Sequence, residues 1–156
     1  MKKILGLVFI LVLFVEAKQS ITLVSKSFKE VIELDKNGNR VVKLVEIKKI
    51  LPKDVVVYKN FISNNGKKEA KNMVLNNPIP KHTEYIEGSA KCKNLCRILY
   101  SVDGGKVFDD ASKLLIKDGD SSRVALAREY TNIRWILEEG LFSKSTTEVS
   151  FRVKVK

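Results

Sequence analysis

Short runs of alternating polar and apolar residues, separated by turn-forming residues, recur along this chain from Ile21 onward. The pattern is densest from Leu51 to Ala90, where β-branched runs are interrupted at Asn64-Asn65-Gly66 and at Pro78-Ile79-Pro80. Asn and Gly supply the left-handed backbone of tight turns, and proline breaks a helix. The alternation therefore predicts an all-β chain of antiparallel strands.

A long hairpin is predicted ahead of that stretch. Residues 21–34 and 40–51 both alternate, and they flank Asp35-Lys36-Asn37-Gly38-Asn39. Asn-Gly is a strong signal for a tight hairpin turn. A helical face also fits residues 25–34, but the turn and the second alternating run favour the hairpin.

The remaining elements follow the same pattern. Strands are predicted at residues 55–63, 70–75, 83–86, 97–102, 112–117, 133–137 and 147–156, and a short helical turn within 123–130. Trp135 is expected to anchor the core, because large aromatic side chains usually serve packing. In the last strand Val149, Phe151, Val153 and Val155 are expected to face inward. Strands at this spacing predict an antiparallel β-sandwich that carries an extra N-terminal β-hairpin.

The N-terminus has the pattern of a secretory signal peptide. Lys2 and Lys3 precede the apolar run 4–15, and Val15 and Ala17 stand where a signal peptidase reads small residues. The run is shorter than the roughly 20 apolar residues of a membrane-spanning helix. We therefore expect export to the periplasm, the outer membrane or the medium, with no transmembrane segment after cleavage.

The segment Ser101–Phe108, SVDGGKVF, is close to the Asp-box pattern, a hairpin motif with Ser, Asp and Gly at these spacings. Asp103-Gly104-Gly105 predicts a tight hairpin into residues 106–108. Such hairpins are generally structural, so Asp103 is interpreted as a turn residue.

The chain also carries an ordered set of motifs: Pro52-Lys53-Asp54, Tyr58, Asn64, Gly66, Ala70, Asn72-Met73-Val74, Pro78, Pro80, Tyr85 and Gly88-Ser89-Ala90. In this order they resemble the OmcB-like conserved repeat domain of bacterial envelope and surface proteins, a domain of unknown function. Later segments resemble the rest of that domain in its single-copy secreted members. The resemblance implies an immunoglobulin-like sandwich and an envelope or extracellular role, and it supplies no catalytic residues.

Several positions depart from the pattern that the family shows. Lys53 replaces a usual Gly, Asn77 stands where Asp is common, and Ser143-Lys144 replaces a usual Pro-Gly turn. Asn60 stands where an inward apolar residue is usual, which indicates a bulge or a changed strand register. The chain then divides into a signal peptide (1–17), an N-terminal β-hairpin (18–50) and the immunoglobulin-like repeat domain (51–156).

Cys92 and Cys96 are the two cysteines of the chain. In an exported protein an even count favours a disulfide over free thiols. The spacing requires a turn at residues 93–95, because bridged Cα atoms lie about 4.4–6.8 Å apart. A metal site with His82 is the alternative, although it lacks a clear fourth ligand.

The sequence points to no catalytic, cofactor-binding or metal site. His82 lies in a proline-flanked turn, Glu138 and Glu139 would face opposite sides of a strand, and the acidic pairs at 109–110 and 118/120 are interpreted as loop residues. The net charge of +11 attracts polyanions, but the lysines are scattered, which argues against specific nucleic-acid binding.

These observations lead to two hypotheses of function. The first is a non-enzymatic structural or protein-interaction module of the bacterial cell envelope, which recruits an envelope protein or an acidic glycan through edge strands or charge. The second is a carbohydrate-binding or adhesive module, which requires exposed aromatic side chains; the candidates are Tyr58, Tyr85, Tyr100 and Tyr130.

Overall fold

The computed structural model describes residues 21–156, and the predicted signal peptide lies outside the described residues. Within them the chain forms strands and two short 3-10 turns, at Ala111–Lys113 and Ala127–Glu129. The strands are β1 (Ile21–Leu34), β2 (Arg40–Glu46), β3 (Val55–Asn64), β4 (Val74–Pro78), β5 (Thr83–Tyr85), β6 (Lys91–Cys92), β7 (Cys96–Ser101), β8 (Leu115–Asp118), β9 (Ser121–Val124), β10 (Asn132–Leu137) and β11 (Thr146–Val155).

The strands form two layers and a small hairpin, and every pairing is antiparallel. The larger sheet has the order β2-β1-β3-β11-β5, with β6 also paired to β11. The smaller sheet has the order β4-β10-β7, and β8 pairs with β9. The predictions of an all-β fold and an antiparallel sandwich are therefore confirmed.

The core lies between β10 of the smaller sheet and β11 of the larger one. Trp135 and Phe151 are fully buried, with ring centroids 6.0 Å apart. Val149 and Val153 are also fully buried, whereas Lys154 on the other face is exposed. This alternation is what a sheet with one buried face requires, and it confirms the predicted orientation of the last strand and the predicted role of Trp135.

The extra N-terminal hairpin is also present and forms part of the larger sheet. β1 pairs with β3 along Ile21–Lys29 and with β2 along Phe28–Leu34. Its turn matches the prediction, because the Asp35 carboxylate accepts hydrogen bonds from the backbone N–H groups of Asn37 and Asn39. β2 is shorter than predicted: it ends at Glu46, and Ile47 packs against the core instead.

The register of β3 is regular through Asn60, without a bulge. Asn60 does face inward and is buried. Its amide Nδ2 donates to Asn77 Oδ1 at 3.2 Å, and its Oδ1 accepts from Ser25 Oγ at 2.6 Å. Because both polar ends have partners, the sandwich accommodates an amide at an interior position.

Two predicted strands are wrong in detail. The strand predicted at 70–75 lies at Val74–Pro78, and Ala70 makes an isolated bridge with Leu141. Pro78 is tolerated because β4 is an edge strand, where an N–H is not needed. The element predicted at 112–117 begins as a 3-10 turn, and its strand is Leu115–Asp118.

Candidate functional site

The residues that carry the family resemblance hold turns and strand ends. Asp54 accepts hydrogen bonds from Lys29 Nζ and from the Leu51 N–H, both at 2.7 Å. The hydrogen bond from Lys29 and that from Leu51 lower the pKa of Asp54. Ser89 and Arg152 exchange hydrogen bonds, since the Arg152 N–H donates to Ser89 Oγ and Ser89 Oγ donates to the Arg152 carbonyl. These motif residues therefore serve the fold.

Two of the unusual positions share one backbone conformation. Lys53 has φ +74° and Lys144 has φ +61°. Glycine adopts this left-handed region without steric cost, whereas other residues do so at about 1–2 kcal/mol. Both turns thus have a backbone conformation that glycine adopts more easily than lysine does.

The Asp-box-like segment forms a loop and not the predicted hairpin. Asp103 Oδ1 accepts hydrogen bonds from Ser101 Oγ and from the N–H groups of Lys106 and Val107. In the predicted hairpin, these N–H groups would bond to the neighbouring strand. Here they bond to the Asp103 carboxylate, so a loop forms in place of the hairpin. The hydrogen bonds, led by that from Ser101, lower the pKa of Asp103. Its interpretation as a turn residue is confirmed.

Cys92 and Cys96 form a disulfide, with their Cα atoms 6.2 Å apart. The bridge spans the turn from β6 into β7, as the spacing requires. Because both sulfurs are bonded to each other, the alternative of a metal site with His82 is wrong. Among residues 21–156, no group of three or more His, Cys, Asp or Glu side chains is arranged to hold a metal ion.

The acidic loop residues lie beside cations. Asp110 is 3.2 Å from Arg97 Nη2 and 3.1 Å from Lys113 Nζ. The hydrogen bond from Lys113 and the charge of Arg97 lower the pKa of Asp110. Asp118 is 3.6 Å from Arg123 Nε. These carboxylates balance local positive charge.

The four tyrosines pack into the core and do not form an exposed platform. Tyr85 and Tyr130 are buried, and Tyr100 packs against both, with its ring centroid 5.5 Å from that of Tyr85 and 4.6 Å from that of Tyr130. Burial raises the pKa of Tyr100, as does its hydrogen bond with Tyr85. Tyr58 stacks on Phe151 with centroids 5.1 Å apart.

The smaller sheet has a free edge at β4. Backbone hydrogen bonds join Leu137 N–H to the Met73 carbonyl and Ile79 N–H to the Thr131 carbonyl. Bonded positions alternate in an antiparallel ladder, so Leu75 and Asn77 also face β10. The backbone groups of Val74, Asn76 and Pro78 therefore point to the opposite side, where the described residues place no strand. We call this side the free edge of β4.

Beside that edge, β1 extends beyond the smaller sheet. Its inner face consists of the residues whose partners on β3 face the core: Ile21, Leu23, Ser25 and Ser27, continued by Lys29 and Val31. The first four are exposed. The Ile21–Ser27 part of β1, which β2 does not reach, thus forms an edge of the larger sheet and has no opposing strand among the described residues.

An apolar pocket of about 210 Å³ lies where β1 and β4 meet. Ile21 and Leu23 from β1, Ile62 from β3, Leu137 from β10 and the start of β4 line it. Leu23 is 49% exposed and Val74 is 53% exposed, so this is apolar surface that the described part of the chain leaves open to solvent.

A second, basic pocket of about 430 Å³ lies at the other end of the inner face of β1. Val31 and Val45 contribute its apolar surface, and Lys29, Lys48 and Lys49 contribute positive charge against one carboxylate, that of Glu46. Lys29 pairs with Asp54, whereas no ion pair of residues 21–156 involves Lys48 or Lys49.

The outer face of the hairpin also exposes apolar side chains. Ile32 and Val42 are directly opposite each other on β1 and β2 and are 67% and 62% exposed. Leu34 beside them is 69% exposed. Contiguous apolar surface of this kind is typical of interaction sites.

The sequence analysis located none of these surfaces, although it named exposed edge strands as the means of recruiting a partner.

Comparisons with models of protein families, with characterised proteins and with solved structures find no match to this chain. In the part of the chain that the structure describes, no helix has the length and apolar character needed to span a membrane.

Proposed function

We propose that this protein is an exported, non-enzymatic module of the bacterial cell envelope that binds another protein through its N-terminal hairpin and the adjacent sheet edge. The observation that carries the proposal is the mismatch between the layers: β1 and β2 extend the larger sheet past a smaller sheet whose edge strand, β4, is paired on one side only. An exposed sheet edge beside an apolar groove is the arrangement that strand-adding partners use.

We also propose that residues 51–156 form an immunoglobulin-like member of the OmcB-like repeat family. Two facts support this assignment. Lys53 and Lys144 adopt the left-handed conformation where the family pattern has glycine. Motif residues such as Asp54 and Ser89 occupy structural turns, in keeping with a family that has no catalytic residues.

The competing role as a carbohydrate-binding module has less support. A sugar ring that stacks on a protein surface requires exposed aromatic rings. The four candidate tyrosines belong to the core cluster or pack against that cluster. Phe142 is the most exposed aromatic side chain of residues 21–156, at 70%.

The test is co-sedimentation of the purified protein with isolated cell envelopes at low and high salt, before and after protease treatment of the envelopes. We expect binding that survives high salt and is lost after protease treatment. Binding that survives protease would overturn the proposal in favour of a glycan or lipid ligand. Binding no stronger than that of an equally basic unrelated protein would also overturn it.

A further inference from the structure

Among residues 21–156, the second layer of the sandwich has no strand opposite β1. The layers of a sandwich lie about 10 Å apart, and each covers the apolar face of the other. The inner face of β1 has no such cover from Ile21 to Ser27, yet the free edge of β4 is positioned to continue the smaller sheet over it. One added strand would pair with β4 and bury the apolar pocket.

The two pockets would place the two ends of that added strand in different chemical surroundings. The apolar pocket lies at Ile21 and Leu23, and the basic pocket lies at Lys29 and Val31. Ten residues of an extended chain span about 33 Å, so one strand of this length can reach from the first pocket to the second. Its ends would then meet different surroundings, apolar at one end and positively charged at the other.

The direction of the strand follows from β4. Val74 and Leu75 line the apolar pocket beside Leu23. Asn77, further along β4, bonds Asn60, which in turn bonds Ser25. β4 therefore runs in the same direction as β1, away from the apolar pocket. Because all strand pairs of the described residues are antiparallel, an added strand should run the opposite way.

We propose that the site binds an extended segment of a partner protein, which pairs antiparallel with β4. Its C-terminal half carries an apolar side chain that fills the apolar pocket, and its N-terminal half carries Asp or Glu residues that meet Lys48 and Lys49. The inference rests on the proposed function and adds the chemistry and direction of the partner.

Charge argues against a second copy of this chain as the occupant. The chain carries a net charge of +11. Two copies would repel each other, and the exposed lysines of the basic pocket would face a cationic partner. An acidic segment instead neutralises them.

The test is a selection of random twelve-residue peptides, displayed on phage, against the purified full-length protein. We expect the enriched peptides to alternate apolar and polar residues, with Asp or Glu concentrated in the N-terminal half. Synthetic versions should lose at least tenfold in affinity for the variants Leu23→Lys and Lys48→Glu. The matched controls Leu115→Lys and Lys117→Glu lie on exposed positions of β8 and should bind as the wild type does.

Three of the alternative outcomes overturn the inference, and the last overturns the envelope role alone. Enriched peptides without that pattern, or peptides that bind all four variants equally, would place binding elsewhere. Concentration-dependent dimerisation in sedimentation, abolished by Leu23→Lys, would make a second copy the occupant. If the variant Leu23→Lys still binds envelopes in a protein-dependent way, the role as an envelope protein-binding module holds and the site is wrong. If the peptides bind as expected and envelopes do not, the site holds and the envelope role is wrong.

Discussion

Arg123 and Glu129 form a bidentate ion pair, with Nη1–Oε2 and Nη2–Oε1 distances of 2.8 and 2.7 Å. Glu129 Oε2 also accepts the Leu126 N–H at 2.8 Å, so the carboxylate closes the loop between β9 and β10. The hydrogen bond from Arg123, followed by that from Leu126, lowers the pKa of Glu129 to about 2 from an ordinary 4.5.

A carboxyl group whose pKa is lowered by folding stabilises the folded state above its unfolded pKa. That contribution is lost as the pH falls through the folded pKa. For Glu129 the loss runs from about pH 4.5 to about pH 2. We expect the urea midpoint to fall across this window, and to fall less in the variant Glu129→Gln. Equal acid sensitivity of the wild type and Glu129→Gln would contradict this role of the pair.

Asn64 is a buried amide at the end of β3, and its loss should destabilise the fold. Its Nδ2 donates to the carbonyls of Lys68 and Leu141, both at 2.8 Å, and its Oδ1 accepts the Gly66 N–H at 3.0 Å. Asn64→Ala leaves these groups unpaired, which should cost about 2–4 kcal/mol of unfolding free energy in urea titration. Asn65→Ala, an exposed neighbour, is the control and should cost much less; equal losses would refute the argument.

Phe151 packs against Trp135 and Tyr58 at the centre of the sandwich. Phe151→Ala should cost about 4 kcal/mol of unfolding free energy, because it removes a fully buried ring and leaves a cavity. Phe142→Ala removes a largely exposed ring and should change stability by about 0.5 kcal/mol or less. Chemical denaturation of both variants checks the contrast, and a small effect of Phe151→Ala would place the core elsewhere.

The Cys92–Cys96 disulfide closes a short loop, with a sequence separation of 4. Loop-closure entropy then gives a modest contribution of about 2 kcal/mol. The double variant Cys92→Ala/Cys96→Ala should remain folded, with its unfolding free energy lowered by about that amount. Reductant should lower the stability of the wild type and leave the double variant unchanged. An unfolded double variant would contradict this estimate.

Lys53 adopts φ +74°, so glycine should be the better residue there. Lys53→Gly keeps the hydrogen bond from the residue 53 N–H to the Val155 carbonyl and removes the left-handed strain. After the larger entropy of glycine in the unfolded chain is counted, stability should rise by about 0.5–1 kcal/mol. Lys81→Gly, in an exposed loop without positive φ, should lower stability. A loss in Lys53→Gly would refute the account.

Much of the fold could be predicted because strand signals are local. The alternation in residues 147–156 places Phe151 inward whatever the rest of the chain does, and Asn37-Gly38 specifies a turn on its own. Prediction was wrong where tertiary contacts compete with local pattern. The strand predicted through Leu51 ends at Glu46 because Ile47 packs on the core, and Pro78 is part of a strand because that strand is an edge.

The sequence by itself determined the class of fold and the inward residues of the last strand, and it favoured the pairing of the two cysteines, since each depends on residues close together in the chain. Only the tertiary structure decided where a sheet edge and apolar surface stay exposed. The free edge of β4, the apolar pocket at Leu23 and the basic pocket at Lys48 depend on how many strands each layer holds. That number follows from distant pairings, such as Leu75 with Trp135 and Leu23 with Ile62, which no local pattern encodes.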